Sequence, residues 1–501
     1  MLFKGHDAVQ PEVAATERRP VYSTFSKRQK SFITLLVSLA SIFSPISATI
    51  YVPALPTIAK DLNVSITLVN LSVTSYMIFQ GLAPSLWGPL TDAIGRRPVY
   101  LLTFLIYIAA CIGLACTNSF AELIIWRSLQ STGSASTIAI GAGVIADITQ
   151  SGERGGYIGL YSAGALVGNA LGPVLGGIFA QTIGWHGIFY FLTALAGLFW
   201  LVLLLTLPET LRNIVGNGSI RPTGNLLRRP ALPFLEPPDA APDDISPAQT
   251  AKQFDPLGPV KMMGKAEVAC SLLFTALYYT VWQSSLVASA TIFDKEYGLS
   301  QLNIGLSFIA SGVGAITASL ITGRILDYDY ANEAGVAHAQ MQQEAELDAY
   351  EMTRRLSQRP LRRLEYARLR RMPINSLVYI GSVLAFGWCV QAKTTVALPI
   401  IWTFFLGFTT TSIMSAYTTL IVDWYPDAGA SGTAALNLAR CLLGAGGTAA
   451  VQPLMNKTNT GITFTIGAGI TLLCTPLYWL VIRYARSWRL SRLKQRGMRG
   501  T

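Results

Sequence analysis

Long apolar stretches separated by short polar segments recur along almost the whole 501-residue chain. Each stretch is about 20 residues long, the length that an α-helix needs to cross roughly 30 Å of hydrocarbon. The pattern therefore predicts an all-α membrane protein with twelve transmembrane helices. The approximate bounds are 31–54, 66–87, 98–117, 121–146, 157–180, 186–207, 266–292, 302–326, 374–392, 397–422, 430–455 and 462–484.

The spans fall into two sets of six, which predicts two pseudo-symmetric six-helix bundles over 31–207 and 266–485. A polar, Pro-rich segment at 208–265 separates them, and we interpret it as a largely disordered cytoplasmic linker with room for one short helix. A repeated pattern supports the two-half plan, because Gly88-xxx-Asp92 and Gly323-xxx-Asp327 end the second span of each half.

The remaining segments are a cytoplasmic tail at 1–30, a basic tail at 486–501 and an insertion at 328–373. The insertion is acidic in its first part and strongly basic, with interleaved Leu and Tyr, in its second. Two interpretations stay open for it, an amphipathic helix on the inner leaflet and a solvated, partly disordered loop.

Composition and charge support a membrane location. The chain is 51% hydrophobic and 13% charged, against roughly 25% charged in soluble domains. Basic residues concentrate on one side of the predicted spans, as the positive-inside rule requires when the N-terminus is cytoplasmic. The net charge of +11 is then explained by orientation and contact with anionic lipid, without a nucleic-acid partner. The predicted external loops carry only Lys60, Lys295, Lys393 and Lys457.

A charged turn, "GPLTDAIGRR", interrupts the apolar pattern between spans two and three. Its form, G-x-L-x-D-x-x-G-R-R, resembles the signature of the major facilitator superfamily of secondary transporters. The matching positions include Gly88, Asp92, Gly95, Arg96 and Arg97.

The resemblance implies a conformational latch on the cytoplasmic side. Asp92 would face the start of the eleventh helix near Asp427, where a helix dipole stabilises a carboxylate. Arg96 would pair with the acidic residue that ends the fourth helix, Asp147. The alternative is a positive-inside turn with an incidental acid.

A second motif, G-xxx-GP-xx-GG, resembles the fifth helix of antiporter branches of that superfamily. Small residues there would allow close helix contact and the proline would permit a bend; ordinary small-residue packing is the alternative. Together with "LPETL" after span six, it is similar to fungal drug:proton antiporters with twelve spans. The motif residues are Gly168, Gly172, Pro173, Gly176 and Gly177.

Two arginines, Arg127 and Arg440, fall near the middle of predicted spans, where ionisable residues are costly and usually functional. Arg127, Gln130 and Ser134 share one helical face, and the resemblance implies a role for Arg127 in proton coupling. A structural arginine that binds backbone carbonyls is the alternative. Because span one contains no acid, the cavity should favour neutral or anionic cargo.

Aromatic and amide residues in other spans predict the rest of a substrate cavity of mixed polarity. Packing and interfacial anchoring are the alternatives for any single member. The candidates are Tyr161, Asn169, Tyr279, Trp282, Gln283 and Asn437.

These observations predict a secondary transporter that exports drugs or secondary metabolites by alternating access, with a proton gradient as the energy source. Transport of organic anions is the alternative that the two arginines favour. An enzyme or an ATP-driven pump is not supported, because the chain has no P-loop pattern and no metal-ligand spacing. We therefore expect no cofactor, a monomer, protons and lipid as partners, and a plasma-membrane location more than a vacuolar one.

Overall fold

The computed structural model describes residues 22–150, 153–220, 227, 229–232, 257–344, 364–425 and 429–497. Within these ranges twelve helices have 20 residues or more, and shorter helices lie at Leu55–Asp61, Arg212–Val215, Gly258–Met263 and Leu364–Leu369. The long helices are α1 (Lys27–Thr49), α2 (Ile66–Ile94), α3 (Arg96–Ala115), α4 (Phe120–Ile148), α5 (Arg154–Thr182), α6 (His186–Thr206), α7 (Ala266–Tyr297), α8 (Gln301–Glu344), α9 (Met372–Gln391), α10 (Ala397–Trp424), α11 (Gly429–Lys457) and α12 (Thr460–Gly497).

Ten of the described helices are long and apolar enough to cross a membrane by length and composition. The two long helices that are less apolar, α4 and α7, carry many Ser and Thr residues, and α7 also carries three Tyr. Most side chains of α7 are buried. A helix that faces other helices can use small polar residues where a lipid-facing helix needs apolar ones.

The packing of the twelve helices is two-fold symmetric. In the first half α1 packs against α5, α2 against α4, and α3 against α4 and α6; in the second half α7 packs against α11, α8 against α10, and α9 against α10 and α12. The halves meet where α2 contacts α11 and where α5 contacts α8. Exchanging the halves converts each of these pairs into another observed pair.

One face of α5 is a row of glycines at every fourth residue that packs against α1. Gly168 lies against the Ile42 carbonyl and Pro45. At Gly176 an added Cβ would lie 1.8 Å from the Ile50 carbonyl oxygen. Gly172 lies in the same row and contacts Thr49. The first half therefore depends on backbone contact that no larger residue permits.

The other face of α5 makes equally close contact with α8 of the second half. A Cβ at Gly177 would lie 2.6 Å from the Gln301 carbonyl oxygen, and one at Gly305 would lie 2.4 Å from the Pro173 carbonyl oxygen. The motif on α5 thus joins α1 within its own half to α8 across the interface between halves.

Contacts between the halves lie from the middle of the helices to the predicted external end. Thr74 and Thr448 bring their hydroxyl oxygens within 3.1 Å. Nearer the external ends, Leu302 N donates to Gln181 at 3.1 Å. On the cytoplasmic half of α2, Leu86 is 65% exposed. The structure is therefore closed on the predicted external side.

The structure corrects three predicted boundaries. Helix α8 continues to Glu344, about 18 residues past its predicted end, so the insertion begins as an extension of that helix; residues 345–363 lie outside the described ranges. Helix α1 begins at Lys27 within the predicted tail. There Lys30 donates a hydrogen bond to Glu153, which lowers the pKa of that carboxyl. The first residues of the predicted linker, including Glu209, are buried.

We expect Gly305→Ala to open the external side, because the new methyl group would collide with the Pro173 carbonyl only when α5 and α8 are in contact. The measurement is the labelling rate of a cysteine at buried Thr448 by an impermeant thiol reagent applied outside. Gly381→Ala is the matched control, because open space surrounds that glycine. Equal labelling rates in the two variants would contradict the prediction.

We also expect a Thr74→Cys, Thr448→Cys pair to form a disulfide under mild oxidation, because the native hydroxyls already meet. The cross-link should abolish transport by holding the external side shut, and reduction should restore it. Each single variant serves as the control. Transport that continues in fully cross-linked protein would exclude opening between α2 and α11.

Candidate functional site

The charged turn between α2 and α3 forms an ion cluster within the first half. Arg96 Nε lies 3.1 Å from Asp147 Oδ2 at the end of α4, and Arg96 Nη1 lies 2.8 Å from Asp92 Oδ1. The Arg96 side chain is 13% exposed, whereas that of Asp92 is 49% exposed. Arg96 thus joins the cytoplasmic ends of α2 and α4.

The predicted contact between Asp92 and α11 is absent from the part of the chain that the structure describes. Asp427 lies outside that part, and the described start of α11 packs within its own half, since Gly432 contacts Ile421 and Met262. Open space surrounds Gly88. An inner latch of this kind would separate when the cytoplasmic side opens, which fits the external closure.

Arg97 lies beside this cluster but binds backbone carbonyls instead of a carboxylate. Its guanidinium is buried and donates to the carbonyl oxygens of Leu203 and Leu204, at 3.0 and 2.6 Å, and also to Leu207. These carbonyls belong to the last turn of α6, where a helix leaves acceptors without partners and where a positive charge is favourable. Arg97 therefore caps the C-terminus of α6.

Glu209 performs the reciprocal function at the N-terminus of α3. Its carboxylate is buried and accepts from the backbone N–H groups of Arg96 at 2.9 Å and Arg97 at 3.2 Å. Gly95 permits this approach, because it has φ +113° and an added Cβ would lie 2.4 Å from the carboxylate. Glu209 is not among the predicted site residues, although its position in "LPETL", on the same predicted side as the Gly-Arg-Arg turn, indicated that it could meet that turn.

The second half has a corresponding cluster at its cytoplasmic end. Arg368 Nε lies 2.9 Å from Asp423 at the end of α10, and Arg371 Nε lies 3.0 Å from Asp329 of α8. Arg368 belongs to the short helix Leu364–Leu369, so the basic end of the insertion is packed onto the bundle. Asp329 therefore links the described part of α8 to the residues that precede α9.

Arg127 is completely buried in the first half. Its Nη1 donates to the Ser47 carbonyl at 3.1 Å and to Gln130 Oε1 at 2.7 Å. Its guanidinium carbon lies 4.3 Å from the ring centre of Tyr51 and 4.4 Å from that of Tyr76. Among the described residues, Nε and Nη2 have no hydrogen-bond partner. The charge is therefore held by neutral groups alone.

The other first-half candidates do not converge on one site. Ser134 lies 3.0 Å from the Tyr76 hydroxyl and stays close to Arg127. Tyr161 instead donates to the Ile138 carbonyl and packs against α4, which agrees with the packing alternative. Asn169 is exposed.

Arg440 lies on α11 close to the interface between halves. Its Nε and Nη2 donate to Asn437 Oδ1 at 3.1 and 2.8 Å, and its guanidinium carbon lies 5.1 Å from the ring centre of Tyr279. The residue is partly buried. The structure describes no ion pair for Arg440, so this charge too rests on neutral partners.

The predicted aromatic and amide residues of α7 lie near Arg440. The rings of Tyr279 and Trp282 are 5.5 Å apart, and Trp282 Nε1 lies 3.3 Å from Ser311 Oγ on α8. Gln283 is 8% exposed. The structure thus brings Tyr279, Trp282 and Arg440 together, while Gln283 is mostly buried in the helix packing.

Short polar contacts link the two arginines through the middle of the membrane. The Tyr76 ring lies under Arg127, and its hydroxyl donates to the Ser44 carbonyl at 3.0 Å. Gln80 Nε2 lies 3.4 Å from Ser44 Oγ. Across the interface, Asn437 Nδ2 donates to the Gln80 carbonyl at 3.1 Å and Asn437 Oδ1 holds Arg440. A continuous polar path therefore joins the two halves.

Two symmetric six-helix halves, interrupted by buried cations at their centre, define a polytopic α-helical membrane transporter. A family model described as Major Facilitator Superfamily matches residues 37–335, and the chain belongs to that superfamily. The prediction of a twelve-helix transporter fold in a multi-pass membrane protein, and not an enzyme, is confirmed.

Three curated relatives illustrate the range of similar proteins. The chain is 39% identical to Citrate exporter 1 from Aspergillus niger, over 98% of this chain and 93% of that protein. It is 36% identical to MFS-type transporter clz19 from Cochliobolus lunatus, over 98% and 90%. It is 33% identical to MFS antiporter QDR2 from Candida albicans, over 90% and 88%.

Two solved structures share the fold. One is a bacterial homolog of the human lysosomal transporter Spinster, in an inward-facing and unoccupied conformation, with a TM-score of 0.62 and 15% identity over 91% of this chain and 98% of that chain. The other is the human organic anion transporter MFSD10, with a TM-score of 0.54 and 17% identity over 90% and 99%. At these identities the likeness shows the fold alone.

We expect Glu209→Gln to lower the unfolding temperature. Both carboxylate oxygens of Glu209 accept from N–H groups, whereas the Gln amide has only one acceptor oxygen. The free energy of unfolding should fall by about 1–3 kcal/mol, the usual cost of leaving a buried polar group without its hydrogen bond. Glu122→Gln is the control: Glu122 also accepts from a backbone N–H at a helix start, that of Asn118 at 3.1 Å just before α4, but is exposed. Thermal unfolding in detergent should separate the two variants, and equal shifts would exclude the buried cap.

Proposed function

We propose that the protein exports small organic anions, such as di- or tricarboxylates, by alternating access between two six-helix halves. The observation that carries the proposal is a pair of arginines, one fully and one partly buried, for which the described residues provide no counter-charge. Arg440 provides the anion-binding group, because it is partly accessible and close to the interface. Arg127 provides a fixed positive potential behind the site, because it is fully buried.

The free energy of a buried charge supports this assignment. A cation removed from water is costly unless an anion or several hydrogen bonds replace its hydration. In α1, α3, α5, α6, α9, α11 and α12 the sequence has no Asp or Glu. In α2, α4, α7 and α10 the acids lie at or near helix ends, and in α8 they begin at Asp327, after the predicted span has ended. A carboxylate cargo would supply the missing negative charge, and a guanidinium binds it through two parallel hydrogen bonds.

The similarity to a citrate exporter supports the same cargo class, because it extends over nearly the whole of both chains. Citrate is therefore the first compound to test. The relative named as an exporter supports outward transport, and we propose the plasma membrane as the location.

An anion needs no proton to leave a cell. A negative-inside membrane potential favours exit of each negative charge by about 2.3 kcal/mol per 100 mV. We therefore propose that the potential supplies energy to the exporter. The proton gradient expected from the resemblance is the competing energy source, and the same assay distinguishes them.

Export of apolar drugs or secondary metabolites is a second candidate. Its support is the similarity to clz19 and QDR2 and the neighbouring rings of Tyr279 and Trp282, which offer an apolar surface beside Arg440.

The experiment is efflux from proteoliposomes that contain citrate, a neutral apolar dye or tetraphenylphosphonium. We expect citrate efflux to rise with an imposed potential and to be largely independent of a pH gradient. Arg440→Gln should reduce citrate efflux at least tenfold, since a charge-assisted pair contributes roughly 1.5–3 kcal/mol. Arg483→Gln is the control, because Arg483 is an exposed arginine at the end of the α12 span.

Citrate efflux that is unchanged in Arg440→Gln would exclude the proposed anion site. Efflux of the dye but not of citrate would favour the second candidate. Citrate efflux that follows the pH gradient and ignores the potential would establish proton coupling instead.

A further inference from the structure

One side chain connects the candidate anion site to the interface between the halves. Asn437 Oδ1 accepts both hydrogen bonds that Arg440 makes through Nε and Nη2, at 3.1 and 2.8 Å. The amide nitrogen of the same residue donates to the Gln80 carbonyl of α2 at 3.1 Å. Asn437 is therefore in contact with the cation of one half and the backbone of the other.

The surrounding packing keeps α2 and α11 close at this level. A Cβ added at Gly81 would lie 3.0 Å from Cys441 Cβ, and Cys441 Sγ lies 3.8 Å from both Gln80 Oε1 and Asn437 Oδ1. The Thr74–Thr448 contact lies two to three turns further along the same two helices. A change in the Asn437 amide would thus act on a helix pair that extends to the external closure.

We propose that Asn437 is a positioning residue that couples anion binding at Arg440 to release of the contact between α2 and α11. The inference rests on the proposed function, because it requires an anionic cargo. A cargo carboxylate would take the Nε and Nη2 donors of Arg440, since its two oxygens accept both bonds in parallel and its charge neutralises the guanidinium, whereas the Asn437 amide offers one neutral oxygen. The displaced amide would then turn and withdraw its nitrogen from the Gln80 carbonyl.

The chemistry of asparagine suits this role. Its amide is an acceptor on one atom and a donor on the other, so one rotation changes both contacts together. An aspartate would keep Arg440 permanently paired and would lose the donor. An alanine would leave Arg440 available to the anion while removing the link to α2.

The test uses the Thr74→Cys, Thr448→Cys pair in the otherwise unchanged chain as a reporter of external closure, with citrate as the probe. Citrate should slow disulfide formation about fivefold, the ratio expected when the equilibrium shifts by roughly one hydrogen bond. Adding Asn437→Ala should abolish this response while citrate binding persists. Adding Asn303→Ala, an exposed asparagine at the external end of α8, should preserve the response.

Asn437→Asp gives an independent check in case the alanine variant folds poorly. Because it supplies its own carboxylate to Arg440, it should lose both citrate binding and the cross-linking response. Binding is measured by the citrate-dependent rise in unfolding temperature, which also reports whether each variant is folded.

Two results separate failure of this inference from failure of the proposed function. If citrate binds and is exported but leaves the cross-linking rate of the parent unchanged, or still slows it in Asn437→Ala, the coupling role is wrong and the anion site stands. If the parent neither binds nor exports citrate or a related di- or tricarboxylate, both are overturned.

Discussion

A positive charge inside a membrane-spanning bundle must find partners that replace water, and this requirement organises the structure. At the cytoplasmic ends of the helices, which we call the rim, the chain itself supplies these partners: Arg96 pairs with Asp147, and Arg97 caps the end of α6. Near the middle of the helices the described partners are all neutral, because Arg127 and Arg440 are held by amides, carbonyls and aromatic rings. The rim is therefore complete without a ligand, whereas the centre has a net positive charge that an anion can neutralise.

Alternating access requires some helix contacts to persist and others to break, and α5 makes both kinds. Its glycine row fits α1 so closely that a Cβ at Gly176 would overlap the Ile50 carbonyl, and this contact lies within one half. Its opposite face meets α8 across the interface at Gly177 and Gly305. Because glycine faces have no interlocking side chains, such contacts can separate without rotamer rearrangement. The same small residues thus permit a fixed joint and a separable one.

The sequence was sufficient for the elements that depend on local pattern. Apolar length predicts a span because the bilayer requires it, and the family resemblance of the charged turn implied the Arg96 and Asp147 pair. Other features depend on distant residues or on positions outside the hydrocarbon. The cap by Glu209 joins residues more than 100 positions apart, and the extension of α8 to Glu344 has no apolar pattern to reveal it. Tyr161 was predicted for the cavity because residue type alone does not distinguish a packed tyrosine from an exposed one.

The two rim clusters indicate that helix topology, more than the motif itself, determines where ion pairs form. In the first half Arg96 follows directly after α2 and meets the end of α4. In the second half a long insertion intervenes, yet Arg368 still meets Asp423 at the end of α10, the helix equivalent to α4. The segment that precedes the base differs in length between the halves, whereas the helix ends to be joined are equivalent. Because the ends of α8 and α10 lie together in the bundle, a basic residue in the final turn before α9 satisfies the geometry whatever precedes it. The described end of the insertion is thereby anchored to the end of α10 through Arg368.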